Sequence, residues 1–288
     1  MNENFSFVIL TFNEELHLPR LLTSIKGLNA PVFIVDSGST DGTLAIAENY
    51  GATVLYHPFE NHPKQWDFAL KNCEVKTPWI IGLDADHIVT PELYDKLKSF
   101  DHKHYADVDG IYFNRKNFFK GRWIRYGGYY PFYLLKMIRA GKGFSDTSEN
   151  MDHRFLVLGK TIIWKDGHLL EENLKENEIS FWIAKHNRYS DLVAEEEIER
   201  MQALRLQSVK PDLFGSPYER TAWLKRLWWG LPRYVRPFLY FSYRLIFRLG
   251  ILDGKNGVIF HFLQGFWFRF LVDAKIYEKK KGKAGKLE

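Results

Sequence analysis

The stretch WIIGLDADH, Trp79 to His87, decides the fold. Five mostly apolar residues run into two aspartates, Asp84 and Asp86, with one alanine between them. An apolar run of that length ending in polar residues predicts a buried strand of a mostly parallel sheet. Open α/β sheets bind ligands beyond the carboxyl ends of their strands, which is where both carboxylates emerge. Two hard oxygen ligands beside phosphate groups suit Mg²⁺ or Mn²⁺, ions that share few protein carboxylates with phosphate oxygens. A D-x-D also ends many strands by chance, so its meaning rests on its neighbours.

Upstream, the pattern repeats. FSFVILT (Phe5 to Thr11) predicts a first strand, and Asn13-Glu14-Glu15 opens a helix with Leu18, Leu21, Leu22 and Ile25 at helical spacing. PVFIVD (Pro31 to Asp36) predicts a second strand, Leu44 to Tyr50 a helix, Thr53 to Tyr56 a third strand and Gln65 to Asn72 a further helix. Strands alternating with helices imply βαβ units and a parallel sheet. Downstream, Gly110 to Phe119 and Tyr129 to Ile138 predict added strands around the turn Tyr126-Gly127-Gly128, and Ile179 to Gln207 a long helix.

Composition narrows the class. The 288 residues suffice for one large domain with an appendage. The single cysteine, Cys73, excludes an internal disulfide framework or a multi-cysteine zinc site and fits a reducing compartment. MNENFSFVIL shows no basic leader or cleavage site, so no secretory signal is expected. The net charge of +5 is unevenly spread: 15 Lys and Arg against 4 Asp and Glu from Arg220 onward, but 25 against 31 before it. A basic, aromatic end on an acidic body argues against nucleic acid as the main partner and for an anionic surface approached by one end.

Two loops share the sheet edge with the paired aspartates: Thr11-Phe12-Asn13-Glu14 and Asp36-Ser37-Gly38-Ser39-Thr40-Asp41-Gly42. Asp36 suits hydrogen bonds from a nucleobase or ribose, and the glycines permit tight turns. The plainer reading is a turn with Thr40 or Asp41 as helix cap. No G-x-G-x-x-G follows the first strand and no G-x-x-x-x-G-K-[ST] occurs, which excludes dinucleotide and P-loop readings.

FSFVILTFNEE, IVDSGSTDGT and LDAD at these spacings resemble the inverting family 2 glycosyltransferases of GT-A fold. The resemblance implies that Thr11, Asn13, Glu14, Asp36, Ser37, Gly38 and Asp41 surround the nucleotide of a nucleotide-sugar donor. It sets Asp84 and Asp86 at the sugar diphosphate and its metal; separately, His153 is a candidate third metal ligand, the plainer reading being a structural histidine. Lys64, in HPKQWDFAL, is either a phosphate contact or an exposed lysine. The second half is similar to lipopolysaccharide-core and related cell-surface glucosyltransferases in GRWIRYGGYY (121–130), WIAKHNRYS (182–190) and LGILDG (249–254). His87 departs from the family, where an acidic residue often follows D-A-D, and SENMDHRF (148–155) matches its base-bearing acidic segment loosely.

Inverting transfer requires a carboxylate to take the acceptor's proton as the new bond forms. Asp152 is the first candidate and Glu149 the second. Arg188 resembles the arginine of Q-x-x-R-W in processive relatives, suited to charge on the leaving diphosphate; the plainer alternative is a helix salt bridge to the acids at 195–199. From Trp223 to Tyr277, no eighteen-residue apolar stretch is free of charge, so no spanning helix is expected. Arginines 226, 233, 236, 244 and 248 among aromatics predict helices lying in a membrane interface, the plainer alternative being packing on the catalytic domain.

The expectation is therefore an α/β protein: a GT-A, Rossmann-like, mostly parallel sheet with flanking helices over 1–215, an amphipathic helical appendage over 216–278 and a basic tail over 279–288. The expected activity moves a hexose, glucose by family habit, from a uridine diphosphate sugar with a divalent metal to a lipid-linked or cell-surface glycan such as lipopolysaccharide core. The expected place is peripheral, on the cytoplasmic face of the cell membrane. The alternatives are an inactive nucleotide-sugar-binding membrane protein and a sugar-phosphate nucleotidyltransferase, although Thr11 to Arg20 lacks the latter's glycine-rich loop.

Overall fold

Every residue of β1 (Phe5–Thr11) is buried, which requires a covered ladder on both sides and on both faces. A computed structural model, describing residues 2–147, 153–201 and 209–284, supplies both neighbours. β1 lies between β2 (Val32–Asp36) and β4 (Trp79–Asp84), parallel to each, and β3 (Thr53–Tyr56) extends the parallel set beyond β2. The register aligns Tyr56 with Asp36, Asp36 with Thr11, and Asp84 with Leu10, so the polar ends of four strands form one edge. Helices α1 (Leu18–Ile25), α2 (Thr43–Tyr50) and α3 (His62–Asn72) connect these strands. Leu18, Leu21, Leu22 and Ile25 all point into the core, as their spacing predicts.

Beyond β4 the direction reverses. After β5 (His87–Val89) and α4 (Pro91–Lys98) come β6 (Gly110–Phe119), β7 (Arg122–Ile124), β8 (Tyr133–Arg139), β9 (Gly143–Ser145), β10 (Phe155–Val157) and β11 (Thr161–Glu171). The main sheet runs β3-β2-β1-β4-β8-β6-β11-β5. β8 is antiparallel to β4 and β6, β11 is parallel to β6, and β5 is antiparallel to β11. Gly82, in the middle of β4, is required by packing: a Cβ there would stand 2.4 Å from the Phe155 ring.

The chain forms two compact units. The first contains 2–118, 131–147 and 153–174, with the sheet core around Phe7, Trp79, Ile81 and Trp164. The second contains 119–130 together with α5 (Ile179–Met201), α6 (Pro217–Trp229), α7 (Val235–Ser242), α8 (Gly254–His261) and α9 (Phe268–Ala284). Here Val193, Ala194 and Ile198 pack on Phe268, Val272 and Ile276, while Trp182 packs with Phe119, Ile124, Phe260 and Leu263. Among the described residues no helix is long and apolar enough to cross a membrane.

Two of the arginines expected at a membrane interface are not there. Arg236 and Arg244 are each 2% exposed. Arg236 bonds Asp273 and Glu197, and Arg244 bonds the Gly127 carbonyl and His261. A buried guanidinium needs such partners, and buried acids and carbonyls supply them.

Candidate active site

The two loops of the parallel edge are laced to each other. Asn13, at φ +55°, donates its backbone N–H to Ser39 Oγ (2.8 Å), and its side-chain oxygen accepts from the Thr40 N–H (2.8 Å). Glu14 N–H donates to Thr43 Oγ1 (2.7 Å), and Glu15 N–H to Asp41 Oδ2 (3.2 Å). Asp41 also accepts from the backbone N–H of Thr43 at the start of α2 (3.0 Å). Asp36, 2% exposed, accepts from Thr11 Oγ1, the N–H groups of Gly38 and Ser39, and Ser39 Oγ, all at 2.6–2.8 Å. Those four bonds fill the carboxylate's acceptor capacity, so Asp36 here orders the loop. Ser37 Oγ accepts from Gln65 Nε2 (3.0 Å). Gly38 has φ +95°, which a side chain would strain. The rings left facing outward on this edge are Phe12 and Tyr56, 55% and 67% exposed.

Asp84 ends β4 inside a ring of cationic and imidazole groups. Lys136 Nζ, brought across from β8, lies 2.9 Å from Oδ2, and His62 Nε2, from the start of α3, lies 3.2 Å from Oδ1. The Asp84 backbone N–H donates to His87 Nδ1 (2.9 Å). Burial pushes the Asp84 carboxyl up, but Lys136, with His62 and His87, outweighs it and holds the group well below its ordinary range. Lys136 itself is buried against Trp66, with Nζ 5.8 Å from the ring centroid.

Asp86 is half-buried and accepts from Asn173 Nδ2 at 3.4 Å, while its carbonyl accepts from the Glu172 N–H. Glu171 is held by Arg115 (2.7 Å) and lies 3.4 Å from His87 Nε2. Burial raises the Glu171 carboxyl, and Arg115 with His87 overcomes this and lowers it. Glu172 pairs with Arg20. His17, fully buried, ties the first loop to this last one, donating to Glu14 and accepting from the Leu174 N–H (2.8 Å).

His153 stacks on Trp66 (5.1 Å between ring centroids), meets Phe155 edge-on and stands 5.4 Å from the His62 ring. Its Nε2 is buried without a hydrogen-bond partner. Burial, reinforced by His62 and Lys136, holds this imidazole well below its ordinary pKa, neutral and able to ligate. Among the described residues no three His, Cys, Asp or Glu side chains converge on one ion position. A divalent ion shared with a diphosphate needs only one or two protein ligands, and a neutral imidazole with an unpartnered nitrogen is a donor of the kind such an ion takes.

The structure thus brings Thr11, Asn13, Glu14, Asp36, Ser37, Gly38, Asp41, Asp84 and Asp86 to one sheet edge, as expected. Lys64 is an exposed lysine paired with Glu60 (2.5 Å), and its N–H is capped by Asn61. Arg188 is exposed on α5 in the second unit; the nearby acids Glu195, Glu196 and Glu197 pair with Lys279, Arg200 and Arg236. Asp152 and Glu149 lie outside the described residues. Asp146 is buried and ion-paired with Arg154 (3.1 Å). The sequence did not single out Lys136, His62, Glu171 or Glu172. The one signal was position: a histidine and a lysine in HPK and LLKM, each one strand or helix turn from the paired aspartates only after folding.

A family model described as Glycosyl transferase family 2 matches residues 6–157. The lipopolysaccharide core biosynthesis glycosyltransferase LpsC of Rhizobium meliloti is 28% identical over 290 residues, covering 97% of this chain and 94% of that protein. An uncharacterized glycosyltransferase of Rickettsia conorii is 36% identical over 107 residues, 37% of each chain. Among solved structures, Staphylococcus aureus TarS 1–349 in complex with UDP covers 97% of this chain and 92% of its own at 14% identity, with a TM-score of 0.44. Glucosyl-3-phosphoglycerate synthase from Mycobacterium tuberculosis with Mn²⁺ and UDP covers 41% of this chain and 45% of its own at 21% identity, with a TM-score of 0.30.

Proposed function

The chain belongs to glycosyl transferase family 2, and on that premise we propose that it transfers a hexose from a uridine diphosphate sugar to a lipid-linked or cell-surface glycan at the cytoplasmic face of a membrane. The carrying observation is the Asp84–Asp86 turn, with Lys136, His62 and an orphaned His153 imidazole beside it, on the sheet edge where the two laced loops end. Uridine and glucose follow the resemblance to core and cell-surface glucosyltransferases. The glycan acceptor is supported by LpsC, a relative that matches almost end to end and is named for lipopolysaccharide core biosynthesis.

The laced loops give a rigid floor for a nucleoside, and the outward rings of Phe12 and Tyr56 offer flat faces for a base. Asp86 and His153 are the residues to hold a divalent ion, which when bound would neutralise charge on the leaving diphosphate. Lys136 holds Asp84 ionised and adds a fixed positive charge to the same spot, a preorganised electrostatic contribution. The proton is assigned to Asp152, the residue before His153. Glu171, whose carboxyl Arg115 and His87 hold low, is a poor proton acceptor, and Glu172 is paired with Arg20.

The test is donor turnover across a nucleotide-sugar panel, with thermal shift by nucleoside diphosphates with and without Mn²⁺. Wild type should be stabilised by UDP with Mn²⁺ and should turn over a UDP-hexose, and Asp86→Ala should lose the Mn²⁺-dependent stabilisation while keeping its unliganded melting temperature. Unchanged Mn²⁺-dependent stabilisation in that variant would remove Asp86 from the metal site.

A further inference from the structure

In the second unit, five large apolar side chains stand open to solvent within seven residues: Ile246 61%, Phe247 76%, Leu249 50%, Ile251 58% and Leu252 53% exposed. They are held on a built base. Arg244, Asp253 and His261, each at most 2% exposed, form a continuous buried chain of hydrogen bonds. Asp253 accepts from the N–H groups of Arg125 (2.9 Å) and Tyr126 (3.1 Å) and from His261 Nε2 (2.9 Å). His261 Nδ1 accepts from Arg244 (3.2 Å), whose Nε donates to the Gly127 carbonyl (3.1 Å). Gly127, at φ +66°, has no room for a side chain, since a Cβ would meet the His261 ring at 2.2 Å. The GRWIRYGGYY and LGILDG stretches are therefore one clasp, closed by Arg244 and His261.

Around the clasp lie three cations. Arg125 faces Trp123 and Tyr126, at 5.4 and 5.8 Å from the ring centroids. Arg122 stands beside Gly254, where a methyl would lie 3.7 Å from its guanidinium. Arg248 interrupts the apolar run, and its carbonyl accepts from the Gly127 N–H (2.9 Å). All three are exposed, and no carboxylate among the described residues pairs with their side chains. Exposed apolar patches of this density mark a partner surface. Arginines interleaved with Trp and Tyr suit a boundary that is apolar on one side and anionic on the other.

We propose that this clasp is the membrane-docking element: Ile246, Phe247, Leu249, Ile251 and Leu252 enter an anionic phospholipid leaflet, and Arg122, Arg125 and Arg248 bind its phosphates. This deepens the reading of the chain as a peripheral membrane glycosyltransferase and confines the contact to the rim of one clasp. It leaves the buried Arg236 and Arg244 out of the contact.

The test is flotation of the full-length protein with vesicles of phosphatidylcholine alone and of phosphatidylcholine with an equal part of phosphatidylglycerol. Wild type should bind the anionic vesicles more tightly. The triple variant Arg122→Gln, Arg125→Gln, Arg248→Gln should lose about 100-fold in affinity, at about fivefold per arginine. The double variant Phe247→Ser, Ile251→Ser should lose at least about 100-fold, because each side chain forfeits its transfer from water. Both alter exposed residues and should melt as wild type does. Three results would overturn the proposal: no binding by wild type, equal binding by wild type and both variants, or a wild-type dimer in solution that the double variant dissolves while vesicles go unbound. UDP-induced thermal shift and donor turnover without vesicles separate the two ideas. If those persist while vesicle binding fails, the glycosyltransferase reading stands and only the docking surface falls.

Discussion

Lys136 is the residue whose removal asks most of the site. Its Nζ, 2.9 Å from Asp84, is what outweighs burial and keeps that carboxyl ionised. Lys136→Met should therefore cost roughly 1–3 kcal/mol at neutral pH, the penalty for stranding a partly buried charged acceptor. The sign with pH follows from the depressed carboxyl. The pair's contribution is present above the unfolded value of ~3.9 and is lost as pH falls through the lower folded value. Urea unfolding should show the gap between wild type and variant narrowing in acid; a gap that widens there would contradict the pairing. The base is tested beside it: Asp152→Asn should keep UDP binding and lose about 10²–10⁴-fold in transfer, while Glu149→Gln should cost far less. Reversed effects in a transfer assay would give the proton to Glu149. Asp84 and Asp86 were legible because a strand's carboxyl end can be read locally. Lys136 was not, because its role depends on β8 lying beside β4, a pairing of residues more than fifty positions apart. Asp36 was read as a ligand contact, yet the same short, acceptor-rich side chain serves equally well to order a turn, and four local donors take it.

At the scale of an element, α5 contains a pH sensitivity. His186 stacks on Trp182 at 3.5 Å between ring centroids and donates Nδ1–H to its carbonyl (2.9 Å). Burial lowers its pKa to about 4. Folded His186 stays neutral while the unfolded chain takes up a proton below its ordinary ~6.5, so stability falls as pH drops from there to about 4. The slope is at most ~1.4 kcal/mol per pH unit. His186→Gln should flatten urea-derived stability over that window, and an unchanged slope would show that the imidazole titrates normally in the fold. The helical tail was legible in outline from its arginines interleaved with aromatics; the capping box Ser216-Pro217-Tyr218-Glu219, which opens α6 with both reciprocal bonds present, is seen in the structure. The inward turn of Arg236 and Arg244 was not. They lie eight residues apart, which returns a nearly continuous helix to one face, but only the acids on α5 and α9 and the Gly127 carbonyl reveal that this face is inside.

Over the whole molecule, the parallel half was readable because each strand announces itself by an apolar run and each connection is short and local. The second half resisted because its strands pair out of sequence order: β11 enters between β6 and β5, and β8 between β4 and β6. That insertion has a consequence for where the chain can be cut. The family match ends at residue 157, before β11 begins at Thr161. A fragment stopping there would leave β5 without its ladder partner and one side of β6 bare. Unpaired strand edges recruit other chains. Residues 6–157 alone should therefore elute as aggregate on size exclusion, and extension through Leu174, which restores β11 and the His17 bond, should reduce that aggregation. A well-behaved monomer from the shorter fragment would count against it. By the same logic, a ribosome must release at least the first 171 residues before this sheet can close, so β6 waits with one side unguarded for as long as β11 takes to emerge.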